Sequence, residues 1–190
     1  MKSSILLFLF LLLAVFLGNA QEFTLTEKYT FVNQRTWGPE EEDRSLVDLV
    51  ASEDSSTIVA TLGITSMELL EDVRITVLPN PGLEAVKEVV KVTFEYIACC
   101  ANTETYYFLV DHDNQYTALP KIDNLYCDTA ESDEHYVFPS QAFGKEGIIV
   151  RAELRYSATN GSIKNIHVLQ SHVWNDDDFE YQDAITAIEP

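Results

Sequence analysis

Apolar side chains recur at every second position through much of this chain. Phe23, Leu25, Tyr29 and Phe31 alternate with Thr24, Thr26, Lys28 and Thr30, so residues 23–32 are expected to form a strand with one wet face, broken on its apolar side by Glu27. A polar loop over 33–44 follows, holding Gly38-Pro39 and the acidic run Glu40-Glu41-Glu42-Asp43. Residues 46–50 are too short to assign. Residues 57–62 are β-branched enough for a strand, and Val73, Ile75 and Val77 restore the two-residue period. Thr65-Ser66-Met67-Glu68 has the form of a capping box, which predicts one or two helical turns over 66–71. Asn80-Pro81-Gly82 is a turn by composition, and the spacing over 83–89 suits a helical turn or an extended segment equally.

The second half reads more plainly. Residues 89–100, 105–111 and 115–119 are predicted as three strands of an antiparallel meander, with Val90, Val92, Phe94, Tyr96, Ala98 and Cys100 on one apolar face. Two longer strands follow, 147–157 and 163–174, around Thr159-Asn160-Gly161. A two-residue loop at Asn160-Gly161 would set Leu154 opposite His167 and Val150 opposite Ser171; a three-residue loop would set Leu154 opposite Ile166 and Ala152 opposite Val168. The second register keeps apolar with apolar. It also places Arg151, Glu153 and Arg155 on the same wet face as His167. Residues 179–188 carry Tyr181, Ala184, Ile185 and Ile188 at helical spacing, which predicts a short terminal helix packed on the sheet.

About eight to ten antiparallel strands, with one or two short helices and turn signals between them, define an all-β sandwich or barrel, α+β being the alternative. No internal repeat or linker divides the chain. Its start has another character: Lys2, an unbroken apolar run over 5–17, then Gly18-Asn19-Ala20. That is the three-part form of a signal peptide cleaved after Ala20, the apolar run being shorter than a bilayer span. The expectation is a leader over 1–20 and a single acidic β-rich domain over 21–190, secreted or periplasmic, with no integral membrane association after cleavage.

Charge sharpens this picture. Twelve Lys+Arg stand against 31 Asp+Glu, a formal net charge of −19, and the leader removes a further positive charge, Lys2. Such a field disfavours nucleic acid and anionic membranes and favours solubility, cations or a basic partner. Three cysteines in an exported chain imply one disulfide and one spare thiol. Cys99 and Cys100 are neighbours, so Cys127 joins one of them. Cys100–Cys127 is favoured from the strand face, with Cys99–Cys127 the alternative.

Motifs for chemistry are scarce. His167 and His172 lie five apart, which on a regular strand sends them to opposite faces, so they share no metal there. His112 falls in a predicted hairpin turn and His135 beside the acidic stretch Glu131-Ser132-Asp133-Glu134, both readable as solvated polar residues. The run Asp111-His112-Asp113-Asn114 opens like a calcium loop but has Tyr116 where Gly is needed and Ile122 where a bidentate Glu belongs. The denser oxygen cluster is Asp176, Asp177 and Asp178 with Glu180, a weak calcium candidate. No other cofactor is implied. Trp37, Trp174 and the tyrosines are better explained by core packing than by sugar stacking, and Asn160-Gly161-Ser162 fits a glycosylation sequon that the turn also explains. With no nucleophile motif or phosphate loop present, the first expectation is an exported non-enzymatic β domain binding a protein or glycan. The second is a barrel-type carrier of a small apolar ligand, marked by a void among Phe94, Tyr96, Phe108 and Leu154. The third is a secreted hydrolase with a carboxylate pair, marked by one strongly raised carboxyl pKa.

Overall fold

The computed structural model describes residues 20–36, 45–127, 132–157, 163–175 and 178–182. Thirteen strands, and no helix, form among them. The central sheet contains β1 (Thr24–Leu25), β5 (Leu70–Pro79), β6 (Val86–Tyr96), β7 (Ala101–Asp111) and β8 (Tyr116–Ala118) in that order, with β9 (Ile122–Tyr126) also on β7. One outer sheet is β2 (Tyr29–Thr36), β3 (Ser45–Ala51) and β4 (Asp54–Ile64). The other is β10 (Ser132–Val137), β11 (Ile148–Tyr156), β12 (Ile163–Asn175) and β13 (Asp178–Gln182). All pairings are antiparallel. The fold is thus all-β and sandwich-like, with no closed barrel. Phe94, Tyr96 and Phe108 pack in one core cluster and Leu154 in another, so these four do not line a common void.

The strand expected over 23–32 is in fact two strands in different sheets. Thr26 Oγ1 accepts a hydrogen bond from Lys28 N at 3.1 Å, a local turn that competes with the ladder. The chain thereby crosses the sandwich: Phe23 packs on one side of the central sheet and Tyr29 and Phe31 on the other. The capping box yields no helix. Leu69 N donates to Ser66 Oγ at 3.4 Å in a single turn, and the chain re-enters a strand at Leu70. The terminal helix expected from residue 179 is likewise replaced, at its start, by β13 pairing with β12 from Ser171↔Gln182 to Asn175↔Asp178. Residues 183–188 of that expectation lie outside the described residues.

Other readings hold. The Asn80-Pro81-Gly82 turn forms with Gly82 at φ +84°, and a Cβ there would meet Pro139 Cβ at 2.9 Å, so both backbone and space require glycine. The β6-β7-β8 meander has the expected order. Pro120 divides β8 from β9, whose separate segments pair with successive stretches of β7.

The β11–β12 hairpin contains both registers weighed from the sequence. Near the loop, Leu154 faces Ile166 and Ala152 faces Val168; beyond Leu169, Val150 faces Ser171. The switch is a β-bulge that opposes an extra residue on β12 to regular β11. It also overturns the expectation for the histidines. His167 stands opposite Glu153 and His172 opposite Ile149, so the bulge puts both on the same side of the sheet. One is exposed and the other buried, four β11 positions apart.

Candidate functional site

The faces of the central sheet can be compared row by row, because the β5–β6 and β6–β7 registers are given residue by residue. On the face toward β2–β4 the rows are Val73, Phe94 and Glu104; Ile75, Val92 and Tyr106; Val77, Val90 and Phe108. These pack against Tyr29, Val47, Leu49, Leu62 and Ile64. On the opposite face the row Leu78, Val89 and Leu109 is apolar and belongs to a cluster with Tyr136, Phe138 and Ile149. The next rows are Thr76, Lys91 and Tyr107, then Arg74, Thr93 and Thr105. Polar residues therefore occupy half of this face.

Two adjoining cavities of about 300 and 210 Å³ lie over these polar rows, sharing Phe23, Lys91 and His135. The larger adds Arg74, Tyr126, Asp133 and the hydroxyls of Thr76, Thr93, Thr103 and Thr105. Lys91 is partly buried as a residue, yet its ammonium is enclosed, 5.6 Å from the Phe23 ring centre and 5.7 Å from that of Tyr107. Among the described residues this ammonium forms no ion pair or hydrogen bond. Burial, with the nearby charge of Arg74 adding to it, lowers its pKa to about 8 against the partial compensation of Asp133. Arg74 is held by Asp72 and Glu95, so its charge is already answered.

Beside Lys91 runs a chain of polar contacts. Burial keeps the Tyr107 hydroxyl protonated far above the usual range, and its oxygen lies 3.4 Å from Nδ1 of His135. Nε2 of His135 faces Asp133 Oδ2 at 3.7 Å. Burial outweighs Asp133 and holds the imidazole pKa below its ordinary value. Burial would raise the Asp133 carboxyl, but hydrogen bonds from His135 and Tyr126 outweigh it, and Asp133 stays ionised. Tyr126 is pushed up to about 12 by burial and remains a donor. Enclosed by this cluster, His135 is not the solvated loop residue its sequence context suggested.

The remaining sequence candidates lie elsewhere. Asp176 and Asp177 fall outside the described residues, while Asp178 and Glu180 belong to β13 at the edge of its sheet. No group of three or more metal-ligating side chains forms among the described residues. His112 sits in a hairpin turn closed by Asp111 Oδ1, which accepts from the backbone N–H of Asp113 and of Gln115, each at 2.8 Å. Trp174 Nε1 donates to the Glu84 carbonyl at 2.8 Å, tying β12 to the β5–β6 turn. Trp37 and the sequon Asn160-Gly161-Ser162 lie outside the described residues. Cys100 is bonded to Cys127, and Cys99 is free and exposed. Here the reason differs from the expected one: β6 ends at Tyr96, and the bridge follows from the Ala101↔Tyr126 register, which sets the two cysteines opposite each other just beyond it. Such a bridge fits an oxidising compartment outside the cytoplasm.

Asp48, Asp54, Asp133 and Glu153 all lie below the usual carboxylate range, opposite in direction to the raised carboxyl that a general acid needs. In class, this is an acidic, disulfide-bonded β-sandwich domain with a polar cleft beside its central sheet. The chain matches no protein-family model, no curated protein and no solved structure.

Proposed function

We propose that this chain is a secreted or periplasmic, non-enzymatic domain that binds a glycan partner in the cleft over Lys91. One observation carries the reading: on the face toward β10 the central sheet has partly buried Thr76, Lys91 and Thr93 and buried Thr105 where its other face has valines and aromatics, and these residues line a cavity. An enclosed ammonium is unfavourable for stability alone, and its place in a cavity supports a binding role. Hydroxyls of threonine and tyrosine, a carboxylate and an aromatic ring are the groups that recognise a polyol with an apolar face. A protein partner would be taken on a broad exposed apolar patch, whereas this candidate site is a small cavity lined mainly by polar groups. The apolar segment over 5–17 and the disulfide support export.

A glycan array probed with the purified chain tests this reading. Thr76→Trp fills the cavity opposite Lys91 without removing its charge. Binding to at least one glycan, weakened tenfold or more by Thr76→Trp, is the expected result. No glycan bound, or binding indifferent to Thr76→Trp, would overturn it.

A further inference from the structure

Resting on that reading, we infer that the sugar taken by the cleft carries a carboxylate, as a uronic acid does, and that Lys91 receives it. Elsewhere in the molecule buried charges have partners. Buried Asp48 has both guanidinium nitrogens of Arg35 at 2.9 and 3.0 Å; buried Glu88 has Lys28 Nζ and Tyr29 Oη, each at 2.8 Å; buried Glu104 has Thr65 Oγ1 at 2.6 Å and Lys121 Nζ at 3.4 Å. In a chain with 31 acidic residues, carboxylates are abundant, yet none forms an ion pair with the enclosed ammonium of Lys91 among the described residues.

An enclosed ammonium is costly unless it is paired and hydrogen-bonded. It has three N–H donors, and those facing the cavity are answered by an anionic acceptor brought from outside, through short charge-assisted bonds. Asp133, ionised in the same cavity, selects the kind of anion. A doubly charged phosphate is repelled by it more than a singly charged carboxylate is, while a neighbouring sugar hydroxyl can donate to it. Thr93 and Thr105, whose hydroxyl oxygens lie 3.4 Å apart, offer further partners to hydroxyl groups. The ring of Phe23 provides an apolar wall. A cavity of about 300 Å³ is at the small end for ligand sites, which suits one sugar unit.

Calorimetric or NMR titration with D-glucuronate, D-glucose and acetate tests the inference on the wild-type chain, Lys91→Met, Lys91→Arg and Thr76→Trp, with circular dichroism confirming each fold. Glucuronate is expected to bind at least tenfold tighter than glucose or acetate. Lys91→Met should remove that advantage, whereas Lys91→Arg should keep glucuronate affinity within threefold. Glucose binding as tightly as glucuronate, or Lys91→Met retaining the preference, would overturn the inference. Acetate matching glucuronate would overturn the sugar part of it. Should neutral sugars bind, and bind more weakly in Thr76→Trp, with no preference for glucuronate, the glycan reading stands and this inference alone fails; no sugar binding at all defeats both.

Discussion

The two faces of the central sheet use the same strands for opposite ends. Toward β2–β4 the central rows are apolar and the acids among them, Glu88 and Glu104, have named partners; toward β10 the apolar packing extends from Leu78, Val89 and Leu109 only to Tyr107, and the rows beyond are polar and include the ammonium of Lys91, which forms no ion pair among the described residues. Because the backbone ladder is shared, strand pairing cannot explain the difference. What differs is whether the side chains were selected for packing or for a cavity. A sandwich layer can thus hold the fold with one face while giving up half of the other.

The largest effect should come from the packed face. Phe94 is fully buried, its ring 5.8 Å from Phe31 and 5.9 Å from Tyr106. Phe94→Ala is expected to cost about 3–5 kcal/mol in urea unfolding, through lost transfer energy and the cavity left behind. Its β6 neighbour Thr93, one residue away, lies on the other face.

The disulfide comes next, because it braces the β7 and β9 ends that wall the cleft. Replacing Cys100 and Cys127 together by Ser should lower stability by about 3 kcal/mol, read from the same unfolding curve. Adding reductant to wild type should reproduce the change.

The third prediction concerns alkaline pH. Lys91 has a folded pKa of about 8, below the ordinary 10.5. Between these values the unfolded chain binds more protons than the folded one, so this group makes stability rise with pH. The rise should be about 2 kcal/mol from pH 8 to 10, after a discount for residual exposure. Tyr96, Tyr106, Tyr126 and Tyr136, pushed up to about 12 mainly by burial, act in the other direction: the folded state holds their protons longer, and their contribution falls as the pH nears about 10 and passes it. Because several tyrosines act together, their fall overtakes the single Lys91 rise below the ordinary tyrosine pKa, and a stability maximum at about pH 9 is expected in wild type. In Lys91→Met the rise below it should vanish while the fall above it persists.

How much of this was legible in the sequence depends on how local the cause is. The alternation of Val90, Val92, Phe94 and Tyr96 is enough to name the packed face, since side-chain direction in a strand follows from position alone. The hairpin register near Leu154 follows from matching like with like. The bulge at Leu169 does not, because that residue reads as an ordinary member of either alternation. Nor does the crossing at Thr26–Lys28, where one hydrogen bond decides between one strand and two. The candidate site was illegible for a related reason. Lys91, Thr93 and Thr105 look like the wet side of a half-exposed sheet, and they become a site only because β10 and Phe23, distant in sequence, come to lie over them. Cys100–Cys127 was identified correctly from a strand face that ends too soon to include Cys100.

The smallest predicted effect sharpens the contrast most cheaply. Thr93→Val removes a hydroxyl whose nearest partner is Thr105 Oγ1 at 3.4 Å, and it should change stability by less than about 1 kcal/mol in either direction, against the several lost in Phe94→Ala next to it.

Denaturant unfolding of Lys91→Met at pH 7 tests most directly whether the polar rows exist for a ligand. If they do, removing an enclosed charge that has no ion pair among the described residues should leave the chain as stable as wild type or more stable, by about 1 kcal/mol. A loss of more than about 1 kcal/mol would show that Lys91 holds the fold together, and would contradict the division between the two faces.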